Sequence, residues 1–114
     1  MLFEGFRIKD IELKNRVVVS PMCQYSGKEG HSQYHHKVHY GQLAMGGAGL
    51  VFLEATAVTA QGRITNGCLG IWNDDFLEGL GELCRIDWVQ KLTQIDKENQ
   101  FDKKNNYSFW NTVL

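Results

Sequence analysis

Proline is nearly missing from this chain: Pro21 is the only one among 114 residues. No stretch approaches the ~18 consecutive apolar residues that a spanning helix requires, so no membrane partner is expected. Charge of one sign is lacking too, with twelve Lys and Arg against thirteen Asp and Glu, a net of -1. That balance leaves no electrostatic footprint for nucleic acid or an anionic membrane. Cysteine is scarce and odd in number. Cys23, Cys68 and Cys84 stand at wide, unrelated spacings and read as free thiols in a reducing compartment, neither a disulfide framework nor a zinc knuckle. Met1 to Asp10 alternates charged with apolar residues and has no signal-peptide core. With 43% hydrophobic and 22% charged residues, the composition is that of a globular, cytoplasmic chain.

A second absence divides the chain. All 12 glycines fall between Gly5 and Gly81, and every alanine between Ala44 and Ala60. From Cys84 to Leu114 there is neither, and Asn99, Asn105, Asn106 and Asn111 appear among Lys, Asp, Gln and aromatics. No hydrophobic period persists from Lys97 to Tyr107, which reads as loop or disorder. The expected division is therefore 1–83 and 84–114. The second part is either a polar extension or a stretch foreign to the fold before it, as a reading-frame shift or truncation would leave, and the latter is preferred.

The first part has a regular order. Phe6, Ile8 and Ile11, Leu13 alternate with charges around a Lys9-Asp10 turn, a short hairpin. Val17-Val18-Val19 is an unbroken β-branched run, the pattern of a strand buried on both faces, and Pro21 ends it. Residues His35 to Met45 carry Tyr40, Leu43 and Ala44 at helical spacing, with Gly46-Gly47 as the stop. Gly49 to Leu53 is a second apolar run. After Trp72, which reads as a core anchor, Asp75 and Glu78 form a helix start signal, and Phe76, Leu77, Leu80, Leu83 and Cys84 form one face. Trp88, Val89, Leu92 and Ile95 keep roughly helical spacing and would extend that helix. Hairpin, strand, helix, strand, helix means α/β with a parallel sheet. Two strands are too few to close one, so the chain reads as the opening of something larger, such as a (β/α)8 barrel of ~250 residues.

Chemistry-bearing residues gather where these strands end, the edge at which α/β folds bind ligands. Ser20-Pro21-Met22-Cys23-Gln24-Tyr25 offers a hydroxyl for a ligand carbonyl or nitrogen and a thiol able to tune a redox centre. On spacing alone the preferred account is a strand-ending proline turn with a buried cysteine. Glu54-Ala55-Thr56-Ala57 ends the second strand with small residues, which admit a planar ligand or simply pack tightly. His35 and His39 are spaced i, i+4 like a zincin pair, but His36 replaces the intervening glutamate and no third ligand follows. Packing of the histidines against a strand, or at the solvent edge, is the preferred account. Gly46-Gly47-Ala48-Gly49 follows a helix and precedes a strand, the reverse of a phosphate-binding loop.

Taken in order, Leu13-Lys14-Asn15-Arg16, Ser20 to Tyr25, His39-Tyr40-Gly41, Gly46 to Val51, Glu54 to Val58, Gly62-Arg63-Ile64 and Leu69-Gly70-Ile71-Trp72 resemble the old yellow enzyme family. Its members are NADH:flavin oxidoreductases and ene-reductases, and Cys23 points to the bacterial-type branch. The resemblance covers about residues 2–83. It implies an FMN-binding (β/α)8 TIM barrel with the hairpin at its bottom, of which this chain holds the hairpin and about two βα units. It also implies NAD(P)H as reductant and hydride transfer from reduced FMN to an activated alkene or quinone. By motif, Ser20, Pro21, Met22 and Cys23 would line the flavin, with Cys23 modulating its potential. Ala55 would lie against the flavin ring, and Tyr25 would shape the enone or quinone pocket. No catalytic residue is assigned, since the family's Gln-Leu-x-His-x-Gly-Arg strand, its histidine pair and its proton-donating tyrosine have no counterpart between Cys84 and Leu114. A homo-oligomer is left open for a full-length member. The expectation is an oxidoreductase fragment that is inactive alone; the rival is a small, non-catalytic α/β interaction module.

Overall fold

The structure, a computed structural model, describes the backbone of residues 1–95 and the side chains of residues 1–86. The expectation of loop or disorder over Lys97–Tyr107 lies outside these residues, as does the greater part of the 84–114 division.

The chain opens with the antiparallel pair β1 (Phe6–Ile8) and β2 (Ile11–Leu13), in register Phe6 to Leu13 and Ile8 to Ile11. Lys9 sits at the turn with φ 51°, the left-handed backbone that a tight two-residue hairpin turn demands. Arg16 stacks its guanidinium 5.2 Å from the Phe6 ring centre, and its N–H bonds the Leu2 carbonyl at 2.9 Å. Asn15 then ties the hairpin to the body. It caps Val17 N–H at 3.0 Å and donates to the Gly47 carbonyl at 2.8 Å.

β3 (Val18–Val19) and β4 (Leu50–Val51) pair in parallel, joined through α1 (Tyr34–Met45). The ladder runs from the Gly49 and Leu50 N–H groups on the Val17 carbonyl to Phe52 N–H on Val19. α1 ends where expected: Gly46 and Gly47 cap the last carbonyls, and Gly47 adopts φ 94°, which favours glycine. The strand was expected to be buried on both faces. Instead Val18 is 49% exposed, because the described residues form three separate two-stranded ladders and no further layer covers that face.

The third ladder was not anticipated. β5 (Thr56–Ala57) and β6 (Leu69–Gly70) pair in parallel, anchored by Gly70 N–H on the Gly30 carbonyl and Ile71 N–H on the Ala57 carbonyl, both 2.8 Å. A 3-10 turn over Asp74–Phe76 then feeds α2 (Leu77–Ile95). Asn73 caps that 3-10 turn, its side chain accepting from Asp75 N–H, in place of the expected Asp75–Glu78 pair. An asparagine caps as well as an aspartate, and its position starts the helical path at Asp74, with a 3-10 turn ahead of α2. The backbone helix passes Cys84 without interruption as far as Ile95.

The core lies between α1, α2 and the sheet edges. Tyr40, Leu69, Phe76, Leu80 and Leu83 are buried together, with Leu43, Val51, Leu53, Ile71, Trp72 and Ile86 packed around them. Trp72 meets Phe76 edge-on at 4.7 Å. At the helix–helix seam, Lys37 and Glu82 form an ion pair of 2.6 Å. Lys37 holds the exposed Glu82 carboxyl below its usual range, first through their hydrogen bond and then by its charge.

Candidate functional site

Because β3 and β4 are parallel, both leave the sheet at the same edge. Ser20, Pro21 and Met22 emerge there exposed, Cys23 and Gln24 are half-buried, and Tyr25 is exposed. Ala55, four residues past β4 and directly before β5, is exposed as well. The six residues singled out from the sequence thus follow the C-terminal ends of one parallel pair, a rim whose two segments are tied by Gln24 N–H on Glu54 Oε2. Behind Ala55, an open depression of about 150 Å³ is lined by Ala55, Thr56, Ala57, Gly62, Ile64 and Cys68.

The segment from Gln24 to Gly27 is held in an unusual shape. Tyr25 has φ 50°, a left-handed conformation costing a non-glycine residue roughly 1–3 kcal/mol. Three contacts enforce it. Gly27 N–H bonds the Gly67 carbonyl at 2.8 Å. Gly67 packs so closely on the Tyr25 backbone that any Cβ there would collide with its carbonyl. Gln24 N–H donates to Glu54 Oε2 at 3.1 Å. Gln24 is also gripped by its side chain, with Oε1 3.3 Å from His35 Nε2 and Nε2 donating to the Met22 carbonyl at 3.1 Å.

Glu54 is the residue that sequence reasoning passed over. It is 3% exposed, on the sheet edge directly beneath the rim. Its Oε1 accepts from the Tyr40 hydroxyl at 3.1 Å, and the same hydroxyl accepts from Glu54 N–H at 2.9 Å. This second bond takes over where the β3–β4 ladder stops. His36, fully buried, completes the cluster. Gln33 N–H donates to its Nδ1 at 3.0 Å, which assigns the ring proton to Nε2. Nε2 lies 3.3 Å from Glu54 Oε1 but off-axis for a hydrogen bond. Desolvation lowers the His36 pKa below 6.5 and outweighs the opposing pull of Glu54, so the ring is neutral at pH 7. Burial likewise raises the Tyr40 phenol. At the rim, the charge of Cys23, followed by desolvation and Cys68, raises the Tyr25 phenol.

Among the described residues, no three His, Cys, Asp or Glu side chains cluster as a metal site. His35 and His39 stack at 6.1 Å, and His36 packs α1 against the end of β4. No helix of the described residues is long and apolar enough to cross a membrane.

Comparison with known proteins supplies the context for this rim. The model of the NADH:flavin oxidoreductase / NADH oxidase family matches residues 1–91. An NADPH dehydrogenase of Bacillus cytotoxicus is 57% identical over 81 residues, 69% of this chain and 23% of that protein. An NADPH dehydrogenase of a Geobacillus species is 48% identical over 88 residues, 75% of this chain and 26% of that protein. Among solved structures, morphinone reductase superposes with a TM-score of 0.70 at 26% identity, over 78% of this chain and 23% of that one. The old yellow enzyme homologue from Zymomonas mobilis gives 0.71 at 24% identity, over 79% and 25%, a likeness of fold. The chain spans about a quarter of the length of the curated relatives it matches.

Proposed function

The chain belongs to the NADH:flavin oxidoreductase / NADH oxidase family, and on that premise we propose that its strand-end rim is the part of an old yellow enzyme barrel that faces FMN. The fold is α/β, the opening of such a barrel, and the described residues do not close it. The observation that carries the reading is the parallel pairing of β3 with β4, which sends Ser20, Pro21, Met22, Cys23 and Ala55 past the same end of the sheet, the edge at which α/β folds bind ligands. The residues suit a flavin. Ala55 has no side chain beyond its methyl and borders an open depression, so a planar ring can approach the backbone. Ser20 presents a hydroxyl, and Cys23 a half-buried thiol whose hydrogen bonding would tune a redox centre.

When bound, FMN supplies hydride transfer between NAD(P)H and an activated alkene or quinone. The chain's own contribution is position and polarity: Ser20 to Cys23 and Ala55 against the cofactor, Tyr25 over the substrate pocket. Its substrate is a small enone or quinone, and its place the cytoplasm, where Cys23, Cys68 and Cys84 stay reduced. The three two-stranded ladders of the described residues leave the rim open on one side, so the chain alone binds FMN weakly and turns over little. Titration of FMN, followed by quenching of flavin fluorescence, tests this. Binding that is weak in the wild type and weaker still in Ala55→Trp supports the rim; an identical titration for Ala55→Trp refutes it. NAD(P)H oxidation by the bare chain at an ordinary enzyme's rate would refute the inactivity.

One observation favours a second reading, that of a non-catalytic interaction module. α2 continues unbroken across the compositional boundary at residue 84, as it would in a self-contained domain. Cooperative thermal unfolding of a flavin-free monomer would support that reading.

A further inference from the structure

The buried carboxylate of Glu54 is not among the residues assigned to the cofactor, yet it links the rim at Gln24 to Tyr40 and His36 on α1. Its Oε2 fixes Gln24 N–H, one residue before the strained Tyr25 and one after Cys23. Its Oε1 and its own N–H are both locked by Tyr40, and His36 closes the remaining side. A carboxylate buried in this way is costly unless its oxygens are satisfied. Here the partner on the rim side is a single backbone N–H in the loop that carries Tyr25 at φ 50°.

We propose that Glu54 is a positioning residue: through Gln24 N–H it holds the Cys23–Tyr25 loop in its left-handed conformation and so sets where the thiol and the phenol stand. The mechanism is a lever between two rigid points. Tyr40 and His36, both on α1, orient the carboxylate from below, and Gly67 blocks the Tyr25 backbone from the other side. Without Glu54 the loop loses its one charge-assisted bond, and only the Gly67 packing and the Gly27–Gly67 bond then hold Tyr25 away from the ordinary extended or helical regions. What the positioned loop does for a ligand rests on the flavin reading above; that Glu54 positions it does not.

The test uses the full chain without flavin, so failure of the flavin reading leaves it untouched. Backbone amide exchange of Gln24 is measured by NMR in wild type and Glu54→Ala, with the amides of Leu80 and Leu83 as reporters of global folding. Alkylation of Cys23 by iodoacetamide is followed in parallel, with Cys84 as internal reference. Glu54→Ala is expected to speed Gln24 exchange by about ten- to hundred-fold. It should also raise Cys23 alkylation relative to Cys84, with Leu80 and Leu83 still protected. Unchanged Gln24 exchange and unchanged Cys23 alkylation in that folded variant would overturn the proposal. Should Leu80 and Leu83 lose protection as well, Glu54→Gln decides. It keeps an acceptor for Gln24 N–H and should retain most of the protection at Gln24, whereas loss at Gln24 no smaller than in the core overturns the proposal.

Discussion

Tyr40→Phe removes one oxygen from the interior and leaves the ring that packs among Leu69, Phe76, Leu80 and Leu83. Two bonds disappear with it. The hydroxyl donates to Glu54 Oε1 and accepts from Glu54 N–H, and both partners are buried. A hydrogen bond to a carboxylate contributes roughly 1.5–3 kcal/mol, and an orphaned buried N–H costs about 1–3 kcal/mol. The two losses fall on one residue and are not additive. The carboxylate keeps Gln24 N–H on its other oxygen, which limits the damage. The expected loss is about 2–4 kcal/mol, a large fraction of the ~5–15 kcal/mol of a whole domain. Urea denaturation followed by circular dichroism measures it, with Tyr34→Phe as the control, since Tyr34 is 79% exposed. The control should stay within about 0.5 kcal/mol of wild type. If Tyr40→Phe stays within the same limit, the hydroxyl is not replacing the missing ladder bond, and the buried cluster is held by packing alone.

Other perturbations separate the remaining parts of the fold. Leu80→Ala empties a site only 2% exposed in the α1–α2 core, and the urea midpoint should report a loss of about 2–5 kcal/mol. Glycine to alanine should have opposite signs at two positions. At Gly67 the new methyl collides with the Tyr25 carbonyl and should cost about 1–3 kcal/mol. At Gly81, within α2, it meets only Arg85 Nη2 at 3.8 Å and should gain about 0.5–1 kcal/mol in helix propensity; equal shifts in the two urea curves would contradict this. Stability should also fall as pH drops below about 6.5. There His36 takes up a proton in the unfolded chain before it does so in the folded one, where burial lowers its pKa against the upward pull of Glu54 and with His35 and His39 adding to the lowering. The unfolded state then binds more protons, so unfolding free energy rises with pH across that window and levels off above it. The lowered carboxyl of Glu82 acts in the same direction, but only below its own ordinary 4.5. Urea midpoints at pH 7.5 and 5.5, and their convergence in His36→Gln, check the assignment.

The elements legible in the sequence are those whose signal is local. The β1–β2 hairpin announces itself through alternation around Lys9-Asp10, α1 through its Gly46-Gly47 stop, and β3 and β4 through unbroken apolar runs. β5 and β6 have no such signal. Each is two residues long, shorter than one full alternation, and their pairing is set by contacts to Gly30 and Ile71. The rim residues were visible for a related reason: a strand-ending proline with a hydroxyl and a thiol beside it is a local pattern, and so is a run of small residues after a strand. Whether those residues meet on one edge depends on β3 and β4 being parallel, which the apolar runs implied.

Glu54 shows where local reasoning stops. Its partners are Gln24, His36 and Tyr40, 14 to 30 residues away, and no spacing rule connects them. A lone glutamate after a strand reads as the point where the chain meets water. Yet one clue was present, for the run Gly49 to Leu53 shows no polar alternation, as in a strand covered on both faces. Leu50 to Leu53 are half-buried and Glu54 after them is buried, and a carboxylate placed there must find donors. α1 supplies two candidates at i, i+4 on one stripe, His36 and Tyr40, which together with Ala44 are its buried residues. The polar members of that stripe make α1 look weakly amphipathic, and the same two residues give the carboxylate its setting. The polarity that blurs the helix signal is therefore the trace of the buried cluster, and the absence of alternation before Glu54 marks where that cluster must sit.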